Sequence, residues 1–178
     1  IYSPDFCHEE IKWTVSQVFD EFLGIKHSLE FHDKDYFTIS NSSKDKEIVF
    51  KTKFFNIIDK NFFDSSNLPS DNPLEMDCSC LKNSNSLMYQ NIPIIFGNDE
   101  LSINKNKISL GLDFFGSIFF MLSRYEECLK NNKDVHERYV AESSWLTRNG
   151  FLHRPLVNEY LSFLLSCFRE IAVPYQTK

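Results

Sequence analysis

The feature that most constrains the fold is an apolar run over residues 114–122, which follows Asp113 and is itself followed by charged side chains. Phe115 and Ile118 fall on one stripe at helical spacing, and most of their neighbours are also apolar. A helix that is apolar on nearly every side has to be buried on most of its surface. The sequence therefore predicts one core helix over residues 114–129, capped by Asp113.

The rest of the chain alternates strand patterns with two further helices. Ile11, Val15 and Val18 share one face of a first helix, for which Gly24 is the expected C-cap. A polar segment at about 59–91 is predicted to be a long loop, either mobile or a plain excursion from the domain. Strands are expected at 1–2, 25–31, 36–40, 47–54 and 92–96, a hairpin at 101–103 and 107–110, and a last helix between Pro155 and Pro174.

These elements predict one domain over residues 1–178, of the α/β or α+β class, with a mixed sheet covered by about three main helices. The chain is 42% hydrophobic and contains 18 Phe, which indicates a packed aromatic core. Its net charge of −6 without a basic stripe argues against nucleic acid as a partner. Its longest apolar stretch is too short to span a membrane.

The five cysteines are spaced irregularly, and we expect a reduced, cytoplasmic protein. Cys128 and Cys167 lie on apolar helical faces, where buried free thiols are usual. Cys78-Ser-Cys80 lacks a second ligand pair at the spacing of a zinc site. No leader is visible, although a chain that opens on Ile without Met is consistent with prior trimming.

Four motifs resemble a known family. They are the opening Ile1-Tyr-Ser-Pro-Asp-Phe6 with Glu9-Glu-Ile11, the helix end Ser123-Arg-Tyr-Glu-Glu127, the turn His136-Glu-Arg138, and the segment Gly150-Phe-Leu-His-Arg-Pro-Leu-Val-Asn-Glu159. In this order they resemble the N-terminal domain of unknown function that precedes the catalytic domain in bacterial polysaccharide deacetylase-like proteins. The likeness covers nearly the whole chain. It implies an accessory domain in cell-surface polysaccharide metabolism, with a C-terminal deacetylase-like domain as its partner and polysaccharide as a second candidate partner.

The resemblance also implies what a catalytic domain would need. Deacetylases of this kind hold a divalent metal with one Asp and two His one helical turn apart, and the metal activates water to attack an amide. The five His residues of this chain are scattered, and no such pair exists. We therefore expect this segment to be non-catalytic and to hold neither metal nor cofactor. The full-length protein would be a metal-dependent hydrolase acting on C–N bonds, of which the chain, ending soon after its last helix, would be an excised part.

Seven charged residues of these motifs form the candidate site. Two interpretations are open for them: an internal ion-pair network, in which Arg124 is partly buried, or a pocket for an anionic or sugar ligand. In the second, Tyr125, Trp145 or Tyr160 would form a stacking wall. Glu137 stands where the family has Gly, which puts a tight turn there in doubt. The seven are Arg124, Glu126, Glu127, His136, Arg138, Arg154 and Glu159.

Two alternative functions stay open. A carbohydrate-binding module would need Trp13, Trp145 or tyrosines exposed on one surface, and an enzyme of unrecognised type would use the charged residues. The last helix carries more apolar residues than one buried stripe needs, which predicts either a docking surface for the partner domain or a helix covered all round. Those residues are Leu156, Leu161, Phe163, Leu165 and Phe168.

Overall fold

A mixed six-stranded sheet organises the chain. The computed structural model describes residues 1–82, 84, 87–129, 134–136 and 138–176. The sheet order is β2-β1-β3-β4-β8-β7, with β1/β2 and β4/β8 parallel and the other neighbours antiparallel, while β5 and β6 form a small second sheet. The strands are β1 (Tyr2–Pro4), β2 (Glu30–His32), β3 (Tyr36–Ser40), β4 (Glu47–Lys51), β5 (Glu75–Asp77), β6 (Asn91–Pro93), β7 (Gly97–Ile103) and β8 (Lys107–Leu112).

Three longer helices accompany the sheet, which confirms the predicted fold class. The first, α1, continues as a π-helical segment, Gln17–Phe22, before Gly24 adopts a positive φ. Short 3₁₀ turns occupy Ser65–Asn67 and Ala141–Ser143. The α-helices are α1 (His8–Ser16), α2 (Phe54–Ile58), α3 (Phe114–Leu122), α4 (Tyr125–Leu129), α5 (Trp145–Arg148) and α6 (Leu156–Glu170).

Helix α3 lies against one face of the sheet, and the core sits between them. The Phe115 ring packs on Phe37 with centroids 4.3 Å apart, and Phe114 packs on Phe50 at 5.2 Å. Helices α1, α2 and α6 all contact α3, so they surround it on the same side of the sheet. Because side chains alternate along a strand, the opposite sheet face carries different residues. That outer face bears shorter and more polar side chains, among them Thr38, Ser109 and Gly111.

Asp113 fixes the start of α3 as predicted and joins it to α2. Its fully buried carboxylate accepts a hydrogen bond from the Gly116 N–H at 2.9 Å, the capping contact. Its other oxygen accepts from the N–H groups of Lys53 and Phe54 at 2.8 and 2.7 Å. One side chain thus satisfies backbone donors at the beginnings of two helices, which would otherwise be buried without partners.

The prediction of one helix over residues 114–129 is wrong. Helix α3 ends at Leu122, and α4 begins at Tyr125 after Arg124 adopts a left-handed backbone with φ 55°. This conformation turns the chain and is unusual for a residue other than Gly or Asn. Cys128 on α4 is exposed rather than buried, because the break turns its part of the chain away from the predicted stripe.

Three predicted strands are also shorter in the structure, among them the one at 92–96, since β6 ends at Pro93. Over residues 25–31 only the end is regular, since β2 begins at Glu30, although Ile25 is buried. The pattern over residues 47–54 continues past the end of β4 because Phe54 is a core residue of a helix, α2. Continuous apolar runs do not reveal where a strand becomes a helix. The hairpin prediction is confirmed by the pairing of β7 with β8.

The polar segment at 59–91 is anchored to the core rather than an excursion from it. Asn67, Met76, Cys78 and Leu81 are buried, and β5 pairs with β6.

Helix α6 is covered as well, which contradicts the predicted apolar docking surface. Five apolar residues of this helix were the candidates for that surface. Leu165 is half-buried, and the other four are buried, namely Leu156, Leu161, Phe163 and Phe168.

Candidate functional site

Arg124 is a surface residue, which contradicts its predicted partial burial. Its side chain is 72% exposed, and its Nε donates to Glu127 Oε1 at 2.6 Å. The two residues are three positions apart at the beginning of α4, so the pair is local. Exposed ion pairs of this kind contribute little to stability. Arg124 and Glu127 therefore form a local contact at the turn between α3 and α4, and this contact does not connect the turn to the other motifs.

Glu126 faces inward and links α4 to α5. Its buried carboxylate accepts from the Trp145 backbone N–H, with Oε2 at 2.9 Å and Oε1 at 3.1 Å. The N-cap of α5 is Ser144, whose hydroxyl accepts from the Thr147 N–H at 3.2 Å. An acid at the start of a helix satisfies donors that have no partner within the helix. Glu126 thus connects the second motif to the short helix that lies between the third and fourth motifs.

The third motif is organised by Asp134, a residue that lies just outside it. Asp134 Oδ1 accepts from the N–H groups of His136 and Arg138 at 2.8 and 3.0 Å. Its Oδ2 accepts from Arg138 Nε and Nη2 at 3.0 and 2.9 Å. These hydrogen bonds, led by the one from the Arg138 N–H, lower the pKa of Asp134. Glu137, where a glycine turn was in doubt, lies outside the described residues.

Arg154 and Glu159 form the most enclosed pair of the seven. Arg154 Nε donates to Glu159 Oε1 at 3.0 Å and Nη2 to Oε2 at 2.5 Å, while Nη2 also donates to the Asn91 carbonyl at 2.9 Å. The Glu159 side chain is only 2% exposed. The guanidinium lies 4.2 Å from the Tyr89 ring centroid, on whose face it stacks. This pair therefore joins the beginning of α6 to β6 and to the segment before it.

The structure thus divides the seven residues among local contacts. Arg124 pairs with Glu127 and Arg154 with Glu159, whereas Arg138 pairs with Asp134, outside the predicted set. A connection that sequence reasoning missed joins Arg148 to Asp71, with Nη2 and Oδ1 3.0 Å apart. Because these two residues are far apart in sequence, their spacing carries no signal for the contact. Asp134 could have been found as an acid four residues before Arg138.

The predicted aromatic wall is wrong, because all three of its rings are buried. The Tyr125 hydroxyl donates to the Phe62 carbonyl and accepts from Asn67 Nδ2 at 2.9 Å. Trp145 Nε1 donates to the Ser70 carbonyl at 2.9 Å, and the Tyr160 hydroxyl donates to the Pro93 carbonyl at 2.7 Å. Each polar tip is satisfied inside the protein, as buried Tyr and Trp require.

Trp13 is the tryptophan that stays partly exposed, at 39%, and it packs edge-on against Phe119 with centroids 5.7 Å apart. Trp13 is therefore partly exposed and at the same time packed against a neighbouring helix. The edge-on contact fixes the ring against α3, so a ligand would meet only its remaining surface. The tryptophans do not form a shared exposed surface.

Several thiols are held in their protonated form. Burial, together with the nearby Asp59, raises the pKa of Cys7 to about 12. Burial raises the pKa of Cys78 to about 12 and that of Cys167 well above its ordinary value. A protonated thiol is a poor nucleophile and a poor metal ligand. In the part of the chain that the structure describes, no three His, Cys, Asp or Glu side chains are grouped to hold a metal ion.

Comparisons with known proteins add one finding. A protein-family model described as a family of unknown function (DUF7033) matches residues 1–173. No curated protein and no solved structure matches the chain. Among the described helices, none combines the length and the apolar character needed to cross a bilayer.

Proposed function

The chain belongs to a family of unknown function (DUF7033), and we propose that it is a non-catalytic accessory domain of a polysaccharide deacetylase-like protein. The order of its four motifs, which resembles the N-terminal domain of such proteins, supports this setting. In the proposal a catalytic domain C-terminal to this one supplies the metal-binding Asp and His residues. The accessory domain packs against it or positions it in cell-surface polysaccharide metabolism.

One observation carries the non-catalytic part of the proposal: the two enclosed carboxylates of the motifs, those of Glu126 and Glu159, are already engaged inside the domain. Glu126 accepts from the Trp145 N–H with both oxygens, and Glu159 is bound by Arg154 at two points. A general acid or base has to reach the substrate proton that it transfers. Enclosed carboxylates whose oxygens are used in this way stabilise the fold and are poorly placed for proton transfer.

The positions of these contacts suit a structural role for the motif residues. Glu126 links α4 to α5, and Arg154 links α6 to β6. Each contact fixes the end of one element relative to another. A module that positions a neighbouring catalytic domain needs such fixed geometry, because reacting groups have to be held within a fraction of an ångström.

The experiment is an acetate-release assay on N-acetylated chito-oligosaccharides with zinc, cobalt or manganese added. The proposal predicts no acetate above that of a protein-free blank. Turnover that survives repurification and requires metal would contradict it. If Glu126→Gln then abolished that turnover, the activity would belong to the charged residues, and the alternative of an enzyme of unrecognised type would replace the proposal.

A further inference from the structure

The outer face of the sheet contains a depression whose floor consists of short side chains. Phe50 of β4 pairs with Leu110 of β8, and both face the core. Side chains alternate along strands, so Val49 and Ser109, which also pair, point to the outer face. Ser102 of β7 pairs with Ser109 and continues the same row. Exposed strand positions usually carry longer side chains, so this row leaves space above the sheet.

Gly111 extends the floor and is required by the local geometry. A β-carbon added to it would lie 1.5 Å from Asn98 Oδ1 and 2.7 Å from Asn98 Cγ. The Asn98 amide therefore occupies the place that a side chain at this position would take. This arrangement accompanies the register shift in β7 between Gly97 and Leu101. The bulge thus places an amide over β8 and keeps the floor low.

Taller side chains form the rim. Lys51 Nζ and Glu100 Oε2 lie 2.5 Å apart, and their ion pair reaches from β4 across β8 to β7. Tyr36 and Asp35 stand on the other side, at the beginning of β3. The volume of the depression is about 680 Å³. This size lies within the range of small-molecule sites in proteins.

The Tyr36 ring is positioned to stack a ligand. His32 packs edge-on against it with centroids 5.5 Å apart, which fixes the ring from one side. The Lys34 ammonium lies 5.5 Å from the ring centroid, over its face. Lys34 is an exposed side chain, so a ligand ring would stack on this face by displacing the Lys34 ammonium.

The polar groups around the depression favour a ligand with many hydroxyl groups. Ser102 and Ser109 offer hydroxyls that both donate and accept, while Asp35 and Glu100 accept and Lys51 donates.

The same groups argue against other ligand classes. The charges around the depression balance, because the carboxylates of Asp35 and Glu100 are matched by the ammonium groups of Lys51 and of Lys34 beside Tyr36. A phosphate or a uronate therefore finds no net positive charge there. A peptide strand adds to the edge of a sheet, where backbone groups are free, and not to the middle of its face. An apolar ligand would leave the serine hydroxyls without partners.

We propose that this depression binds an uncharged pyranose sugar, with one ring stacked on Tyr36 and its hydroxyls bonded to the serines and to the rim. The site would hold one or two units of a neutral glycan. It lies on the sheet face opposite to the helices, and its lining includes none of the seven charged motif residues. The inference does not depend on the proposed link to a deacetylase, because a sugar site is compatible with either setting.

The test is an NMR titration of the ¹⁵N-labelled chain with three tetrasaccharides at millimolar concentrations. Chitotetraose and cellotetraose are the neutral probes, and tetragalacturonate is the anionic one. We expect at least one neutral probe to shift the amide resonances of residues around the depression, such as Tyr36, Ser102 and Ser109. Tetragalacturonate should bind more weakly, because the depression offers no net positive charge to attract its carboxylates.

Two variants and one control define the site. Tyr36→Ala should weaken binding of the neutral probe by about tenfold, since it removes the stacking ring. Ser109→Tyr should block binding by filling the floor, with the folded spectrum retained elsewhere. Tyr175→Ala removes an exposed tyrosine that does not line the depression, so its affinity should equal that of wild type.

Three results would overturn the inference: no shift with either neutral probe, shifts confined to another surface, or equal affinities of wild type and Tyr36→Ala. Anionic binding as strong as neutral binding would also overturn the ligand class. None of these results bears on acetate release, so failure of the sugar site and failure of the proposed function are separate outcomes.

Discussion

Arg154 and Glu159 are bound to each other at two points, with Nε–Oε1 at 3.0 Å and Nη2–Oε2 at 2.5 Å. The pair is nearly enclosed, since the two side chains are 16% and 2% exposed. Arg124 and Glu127 form a pair of the same chemistry on the surface. The two arginines therefore allow a direct comparison between a buried and an exposed ion pair in one domain.

We predict that Arg154→Ala lowers the free energy of unfolding by about 3–5 kcal/mol, because it leaves the Glu159 carboxylate buried and unpaired. Arg124→Ala, the matched control, should cost no more than about 1 kcal/mol. Urea unfolding at neutral pH, with the m-value preserved, measures both changes. Equal losses in the two variants would show that enclosure does not distinguish these pairs.

Asp113→Ala should lower the free energy of unfolding by about 3 kcal/mol or more, because three backbone N–H groups, two of them buried, lose their acceptor. Asp113→Asn keeps one amide oxygen and should give an intermediate loss. Asp134→Ala, which removes a partly exposed carboxylate with backbone partners, should cost less than either. Thermal unfolding followed by circular dichroism gives the order. An Asp134→Ala loss as large as that of Asp113→Ala would contradict the assignment.

Glu170 should make stability depend on pH. Burial opposes its ionisation, but the hydrogen bond from the Lys82 N–H and the Lys82 ammonium dominate and lower its pKa. A carboxylate with a lowered folded-state pKa adds stability above its unfolded value, near 4.3, and loses it as the pH falls through the folded value. Glu170→Gln should therefore be less stable than wild type at pH 7, with the difference shrinking on acidification. A difference that is constant between pH 7 and pH 3 would exclude this linkage.

The cysteines should differ in reactivity towards iodoacetamide under native conditions. Cys80 and Cys128 are exposed, whereas Cys78 and Cys167 are buried, and burial raises the pKa of each buried thiol. Since the thiolate is the reactive form, the two exposed cysteines should be alkylated first at pH 8. Mass spectrometry of timed samples resolves the sites, and unfolding in urea should equalise them. Early labelling of Cys167 would contradict the burial of α6.

Much of the fold could be predicted because its signals are local. The hairpin between β7 and β8 follows from two alternating segments around a short polar turn. Asp113 was identifiable as a helix cap because it immediately precedes an apolar run. The interruption of the helix at Arg124, between α3 and α4, could not be predicted in this way. A left-handed backbone is expected at Gly or Asn, and an arginine in that conformation has no sequence signature.

The candidate site shows the same division between local and distant contacts. The pairing of Arg154 with Glu159 lies within reach of sequence reasoning, since the two residues are close in the chain. The partner of Glu126 is a backbone N–H, that of Trp145, and backbone donors leave no trace in a sequence. The burial of Trp145 depends in turn on the polar segment that supplies the Ser70 carbonyl. Aromatic residues next to charged motifs therefore suggested an exposed wall that tertiary packing excludes.

We propose that this domain accompanies a deacetylase-like catalytic domain, and the coding sequence after Lys178 is the direct test of this setting. We predict a strand that ends in Thr-x-Asp-x-Asp, followed by two histidines one helical turn apart, which together would hold the catalytic metal. A stop codon directly after Lys178, or a following domain without these metal ligands, would contradict the claim.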